Sequence, residues 1–116
     1  MNFDNALNAH VSWKTRLSTY LRNPDKSLNA NEVVRDNQCE LGKWLESEQG
    51  KYGTEPAFQE LKREHTRFHS VAADVVRRAD SGKPVTQELV MGASSPYAQC
   101  SQKVVEAIIR VRKIAG

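Results

Sequence analysis

The chain has 116 residues, a length that suits one hydrophobic core, so we expect a single domain over residues 1–116. Hydrophobic residues make up 39% and charged residues 27% of the chain, a balance typical of folded globular proteins rather than disordered ones. The 17 Lys and Arg residues are interleaved with 14 Asp and Glu residues, and the net charge is only +3. This dispersed charge argues against nucleic-acid binding, which needs clustered cations.

No apolar run approaches the roughly 18 residues needed to cross a bilayer. The first ten residues, MNFDNALNAH, lack the basic region and the apolar core of a signal peptide. We therefore expect a cytoplasmic protein with no membrane partner. In that compartment Cys39 and Cys100 are expected to stay reduced, as metal ligands or as core residues.

Residues 3–22 predict the first helix, because apolar residues recur there at steps of three and four with polar residues between them. The run Asn23-Pro24-Asp25 ends this pattern, since proline disfavours helical geometry in the residue before it. Residues 24–36 are rich in turn formers, and we expect a loop with one short turn there.

A short second helix is expected after this loop. Asp36 is a candidate N-cap, which would place Cys39 at the third helical position. Gly50 and Gly53 would close the helix.

The clearest periodic signal runs from Phe58 to Ala79 and predicts a third helix that begins near Pro56. Ser81 and Gly82 end this helix, as is typical of a helix stop.

A fourth helix, with Thr86 as candidate cap, would continue to the C-terminus with a break near Gly92 and residues 94–96. No segment shows the sustained two-residue alternation of a strand, so the fold class is all-α. The predicted buried stripe of the fourth helix consists of Leu89, Val90, Ala93, Tyr97, Cys100, Val104, Ile108, Val111 and Ile114.

The three histidines of the chain, His10, His65 and His69, all fall on apolar helix faces. A single histidine in such a place is usually a hydrogen-bonded core residue, and that reading stays open for His10. His65 and His69 stand four apart on one helix, so their rings project from the same face and could hold one ion.

Cys39 adds a thiol near a helix start, where backbone N–H groups and the helix dipole favour the thiolate that a metal ligand must be. The alternative is a small buried hydrophobic residue. Asp36 could cap the helix and hydrogen-bond the backbone near the cysteine. Three nitrogens and one sulfur suit zinc, which takes four such ligands tetrahedrally.

Such a site would be closed, because four protein ligands leave no position for a water molecule. With all three histidines taken, none remains as the base of a hydrolase triad. A di-iron bundle would need several carboxylates in Glu-x-x-His spacing. The sequence therefore does not predict an enzyme.

The residues that suggest this site also match the pattern of a known family. The chain has His10 followed by Trp13, then Cys39 in CELGKW, then His65 and His69 in HTRFH. It resembles the chemoreceptor zinc-binding (CZB) domain family in this order, His, Cys-x-Leu-Gly-x-Trp, His-x-x-x-His, and in length.

The resemblance implies a four-helix bundle, with a short helix or loop carrying the cysteine, that binds one Zn²⁺ per chain through His10, Cys39, His65 and His69. It further implies a homodimer that controls a signalling protein, either a chemotaxis receptor or a diguanylate cyclase, in response to zinc or to oxidants such as hypochlorous acid. The chain would be a stand-alone member or one domain of a larger protein.

Three further expectations concern residues around the site. Gly42 would let a neighbouring helix approach, and Trp13 and Trp44 could shield the metal, although core packing explains both rings equally well. Cys39, as the only ligand that mild oxidants attack, would be the switch, and its release would let residues 24–50 rearrange. The rival interpretation is an interaction bundle that zinc merely stabilises.

Overall fold

The computed structural model describes residues 1–82 and 88–115, and the side chains of these residues except 88 and 89. Every regular element in this part of the chain is helical, which confirms the all-α prediction. The helices are α1 (Phe3–Arg22), α2 (Ala30–Val33), α3 (Glu40–Ser47), α4 (Gln49–Tyr52), α5 (Pro56–Asp80), α6 (Glu88–Met91) and α7 (Pro96–Ala115). Only α1, α5 and α7 are long among these, so the predicted count of four bundle helices is not confirmed.

Helices α1 and α5 begin and end where the sequence predicted. Asn2 caps α1, because its side chain accepts a hydrogen bond from a backbone N–H of the first turn. Pro56 occupies the first turn of α5, where its missing N–H costs nothing. Ser81 is the C-cap of α5, and Gly82 follows with a φ of +77°, a region that glycine enters freely.

The predicted start of the second helix was wrong. Cys39, not Asp36, is the N-cap of α3, with extended backbone angles and a side chain that accepts a hydrogen bond from the N–H of Gly42. The helix therefore starts three residues later than expected. It also ends earlier: Gly50 lies inside the separate short helix α4, and Gly53 caps that helix. The predicted short turn in the loop is α2.

The predicted break in the last segment is confirmed. Helix α6 ends at Met91 and α7 begins at Pro96, with the Ser95 hydroxyl accepting a hydrogen bond from a backbone N–H in the first turn of α7. Ala93 lies in the break and is exposed, which corrects its place on the buried stripe.

Ile114 was also expected on that stripe, yet it is exposed in the last turn of α7. Apolar periodicity alone does not reveal where the neighbouring helices stop covering a helix end. Two expectations, the Thr86 cap and the burial of Leu89, lie outside the described residues.

The hydrophobic core lies where α5 packs along α7 and α1 covers both helices. A hydrogen bond of 2.6 Å from the Tyr20 hydroxyl to the Asp80 carboxylate joins the end of α1 to the end of α5. No described helix combines the length and the hydropathy needed to span a membrane. The largest fully buried side chains are Leu17, Leu41, Phe58, Leu61, His65, Phe68, Val76, Val90, Tyr97, Val104, Ile108 and Val111.

Candidate metal centre

The structure brings together all four residues that the sequence predicted as ligands. His10 comes from α1, His65 and His69 from α5, and Cys39 from the start of α3. One nitrogen or sulfur atom from each residue lies within 4.8 Å of the corresponding atoms of the other three. That these four residues bind a metal ion stays a prediction.

The distances among the ligand atoms of Cys39, His65 and His69 suit a tetrahedral ion. The Nε2 atoms of His65 and His69 lie 3.0 Å apart, and the Cys39 sulfur lies 3.2 Å and 3.7 Å from them. Zinc bonds of 2.0–2.3 Å would place two nitrogens about 3.3 Å apart and a nitrogen and a sulfur about 3.6 Å apart. The spacing of these three atoms is within a few tenths of an ångström of this geometry, and the His10 nitrogen lies within 4.8 Å of each of them.

Backbone carbonyls fix which nitrogen of two histidines carries the proton. The Nδ1–H of His10 donates to the Ala6 carbonyl at 2.8 Å, and the Nδ1–H of His69 donates to the Val33 carbonyl at 2.8 Å. Because a carbonyl can only accept, Nδ1 must hold the proton in each ring, and Nε2 is left as an acceptor.

The Nε2 atom of His10 is buried and has no hydrogen-bond partner among the described residues. An unpaired buried acceptor is unfavourable unless something positive faces it. A cation at the centre of the cluster would satisfy this atom, so the donor set fits a metal ion.

The histidines are held in the neutral form that ligation requires. Burial lowers the pKa of His10, His65 and His69, and for His65 it does so to about 2, with the neighbouring histidines adding to the effect. At neutral pH no proton has to leave these rings before a metal binds.

Cys39 departs from the expectation that a helix start favours its thiolate. The N–H groups of Gly42 and Leu41 do lower its pKa, but burial outweighs them and the pKa of the thiol is raised. Without metal the sulfur therefore keeps its proton at neutral pH. Its S–H donates to the Asp36 carbonyl at 3.7 Å, while it accepts the N–H of Gly42 at 3.4 Å.

The neighbour of Gly42 also differs from the prediction. A Cβ atom built on Gly42 would lie 1.7 Å from the Asp36 carbonyl oxygen, so it is the turn before α3, not another helix, that approaches closely. The Asp36 carboxylate does not cap a helix; it accepts a hydrogen bond from the Thr66 hydroxyl on α5. Sequence reasoning overlooked Thr66, because an exposed helical threonine carries no sign of such a contact.

The cluster is closed on the histidine side and open near the sulfur. The exposed fractions of His10, His65 and His69 are 2%, 1% and 3%, whereas Cys39 is only partly buried. Cys39 and His69 line a surface groove of about 310 Å³, together with Trp13. Solvent can therefore reach the sulfur more easily than the other ligand atoms.

Two further residues considered in the sequence analysis, Trp44 and Cys100, are packing residues. Trp44 packs against the rings of Phe3, Tyr52 and Phe58, as the packing interpretation requires. Cys100 is buried in the core on α7 and is not part of the cluster, as predicted.

Comparison with known protein families places this site within a described domain. The family model described as the chemoreceptor zinc-binding domain (CZB) matches residues 10–76, which is more than half of the chain and includes all four candidate ligands. Neither curated proteins nor solved structures gave a significant match.

Proposed function

Because the chain belongs to the chemoreceptor zinc-binding domain family, we propose that it binds one zinc ion through His10, Cys39, His65 and His69 as a regulatory domain of bacterial signal transduction. The observation that carries this proposal is the convergence of three imidazole nitrogens and one thiol within 4.8 Å. Zinc, when bound, would supply the positive charge that stabilises the Cys39 thiolate.

The metal itself is tested by elemental analysis of protein purified without chelator. We expect close to one zinc per chain, because all four ligand types are those that zinc prefers. A protein that contains no zinc and takes up none on titration would contradict the proposal.

The proposed role is regulatory rather than catalytic. Four protein ligands fill a tetrahedral shell, so no position is left at which a water molecule could be activated. We therefore expect no hydrolase activity from the zinc-loaded protein.

Regulation differs from simple stabilisation in what zinc removal does to the fold. The core between α1, α5 and α7 contains most of the buried side chains, whereas Cys39 lies on a stretch of short helices. Chelation should therefore lower hydrogen-exchange protection in residues 24–50 and leave the three long helices protected. An equal loss of protection throughout would favour the alternative, an interaction bundle that zinc merely stabilises.

We further propose that Cys39 is a redox switch. Its thiolate would attack hypochlorous acid to give a sulfenic acid and chloride: the sulfur gains the OH and loses two electrons, which the chlorine takes up. The groove beside Cys39 supports this, because it gives an oxidant a path to the sulfur. Loss of this ligand would open the metal site.

The switch is tested by treating zinc-loaded protein with one equivalent of hypochlorite. We expect one added oxygen on Cys39 and release of zinc, while the buried Cys100 stays unmodified. Equal oxidation of Cys100, or zinc kept after Cys39 has been oxidised, would contradict the switch.

The output is proposed from the family name, which refers to chemoreceptors. We propose a cytoplasmic homodimer that controls a chemotaxis receptor or a diguanylate cyclase. The mass in solution should be twice that of one chain. Zinc should change the output of one of these two partners when it is mixed with the domain, and a Cys39→Ser variant should fail to produce this change.

A further inference from the structure

Asp36 is a polar contact between the turn that carries Cys39 and helix α5, in addition to the apolar contacts of α3 with the core. The carbonyl of Asp36 faces the Cys39 sulfur at 3.7 Å and lies so close to Gly42 that no side chain fits between them. The backbone of Asp36 is thus packed against the first turn of α3, and the position of Asp36 and that of the sulfur are linked.

The side chain of the same residue reaches the histidine helix. The Asp36 carboxylate accepts the hydrogen bond of the Thr66 hydroxyl, and Thr66 is the residue after His65 on α5. The Lys62 carbonyl lies 3.0 Å from the same hydroxyl, so Thr66 has a second acceptor within its own helix. One hydroxyl hydrogen cannot serve both acceptors fully, and the carboxylate is the closer and the charged one.

We propose that Asp36 and Thr66 form a positioning link that holds the Cys39 sulfur against the histidine pair. The link connects the turn that carries Cys39 to the helix that carries His65 and His69. The Asp36 backbone packs against the turn, and the Asp36 carboxylate bonds to α5. The Cys39 sulfur then lies 3.2 Å from His65 Nε2. Neither Asp36 nor Thr66 is a metal ligand; both act through Cys39.

This link helps to keep a partly buried cysteine at the start of a short helix within reach of the buried histidines. Breaking it should let the turn move out towards the groove, which makes the thiol more accessible and a bound metal easier to lose. The prediction about metal rests on the proposed function, but the prediction about thiol access does not.

The test uses Thr66→Val, which removes the hydroxyl at an exposed position and keeps the side-chain shape. In zinc-free protein, alkylation of Cys39 by iodoacetamide should become at least fivefold faster, while alkylation of the buried Cys100 stays unchanged. The zinc affinity of the variant should fall about tenfold, the lower end of the loss that is typical when an outer partner of a ligand is removed. Thr66→Ser, which keeps the hydroxyl, should behave like the parent within twofold.

Asp36→Ala provides a second, independent break of the same link. It should accelerate alkylation at least as much as Thr66→Val, because the Asp36 carboxylate also raises the pKa of the Cys39 thiol. The double variant should be no faster than Asp36→Ala alone, because one link can be lost only once. The proposal is overturned if Thr66→Val reacts like the parent, if Thr66→Ser reacts like Thr66→Val, if Cys100 accelerates in parallel, or if the two single effects add. A parent protein that binds no zinc would refute the proposed function and leave the alkylation result to decide the link.

Discussion

The four candidate ligands come from two regions of the molecule that are built differently. His10, His65 and His69 project from long helices whose other buried faces form the core, so each ring is almost completely enclosed. We term residues 24–50 the Cys39 segment. Within this segment Cys39 is the N-cap of an eight-residue helix, and its side chain is partly exposed.

This difference separates two tasks within one site. The three histidines form a largely preorganised part of the site, because their rings are neutral and backbone carbonyls orient two of them. The Cys39 segment consists of short helices and carries a partly exposed, protonated sulfur, so we expect it to supply the ligand that leaves first. A site built from these two regions can keep its helical scaffold when it loses its metal.

The largest expected effect comes from removing a ligand of either region. His65→Ala and Cys39→Ala should each weaken zinc binding at least a hundredfold, measured by competition with a chromogenic chelator, because a four-ligand site loses one donor. Cys100→Ala is the matched control, since this sulfur is buried outside the cluster and its loss should leave zinc affinity unchanged. Parent-like zinc binding by His65→Ala would refute the ligand assignment.

The next largest effect concerns the packing of the Cys39 segment. Gly42→Ala places a methyl group 1.7 Å from the Asp36 carbonyl, so the turn must shift, at a cost of about 2–3 kcal/mol. We expect zinc affinity to fall at least tenfold. Gly50→Ala is the control, because no atom lies within 4 Å of the added Cβ and alanine favours a helix by about 0.5–1 kcal/mol. Equal zinc affinities for the two variants would show that the close approach at Gly42 does not matter.

A variant in the contact between α1 and α5 should lower the free energy of unfolding and leave zinc affinity nearly unchanged. Tyr20→Phe removes the hydrogen bond to Asp80 that joins α1 to α5, together with the longer contact of 3.4 Å from the same hydroxyl to the Leu28 carbonyl. We expect a cost of about 1.5–2 kcal/mol, because the closer acceptor is charged. Urea denaturation of zinc-free protein measures this loss. Zinc affinity should stay within twofold of the parent, and a large loss of affinity would mean that the two regions are not separable in the way described.

The smallest expected effect is a pH dependence of the zinc-free protein. The folded-state pKa values of the three site histidines lie below the ordinary 6.5, so the unfolded chain binds more protons and stability falls as pH drops below about 6.5. For His65 the loss is about 1 kcal/mol at pH 5.5. His65→Ala should show a weaker dependence between pH 7.5 and 5.5, and an unchanged slope would contradict this origin.

The long helices and the identity of the cluster were predictable from the sequence. Periodic apolar residues with polar ones between them define α1 and α5. The residue type and the four-residue spacing of His65 and His69 place two imidazoles on one helix face, which is an arrangement that can bind a metal ion. The family match over residues 10–76 identifies a zinc-binding domain family, while the individual ligands stay a prediction.

The local details around Cys39 were not predictable in the same way. Aspartate is a far more common N-cap than cysteine, so Asp36 was the better guess from residue preferences, and the register of a short helix is weakly determined by them. The hydrogen-bond partner of the Asp36 carboxylate is Thr66, which lies 30 residues further along the chain at an exposed position of α5. The contact between the Val33 carbonyl and His69 leaves no trace at all, because a backbone carbonyl is present at every position.

The hydrogen bond of His69 to Val33 links the two regions through chemistry rather than packing. His10 donates to a carbonyl of its own helix, so its tautomer is fixed within α1. His69 donates to a carbonyl of α2, which belongs to the Cys39 segment. When that segment moves away, the imidazole of His69 loses the acceptor that selects its tautomer, and the proton is free to move to the nitrogen that would otherwise face the metal. A departure of Cys39 that carries α2 with it would then remove two donors at once, so that metal release becomes an all-or-none event instead of a gradual loss of affinity.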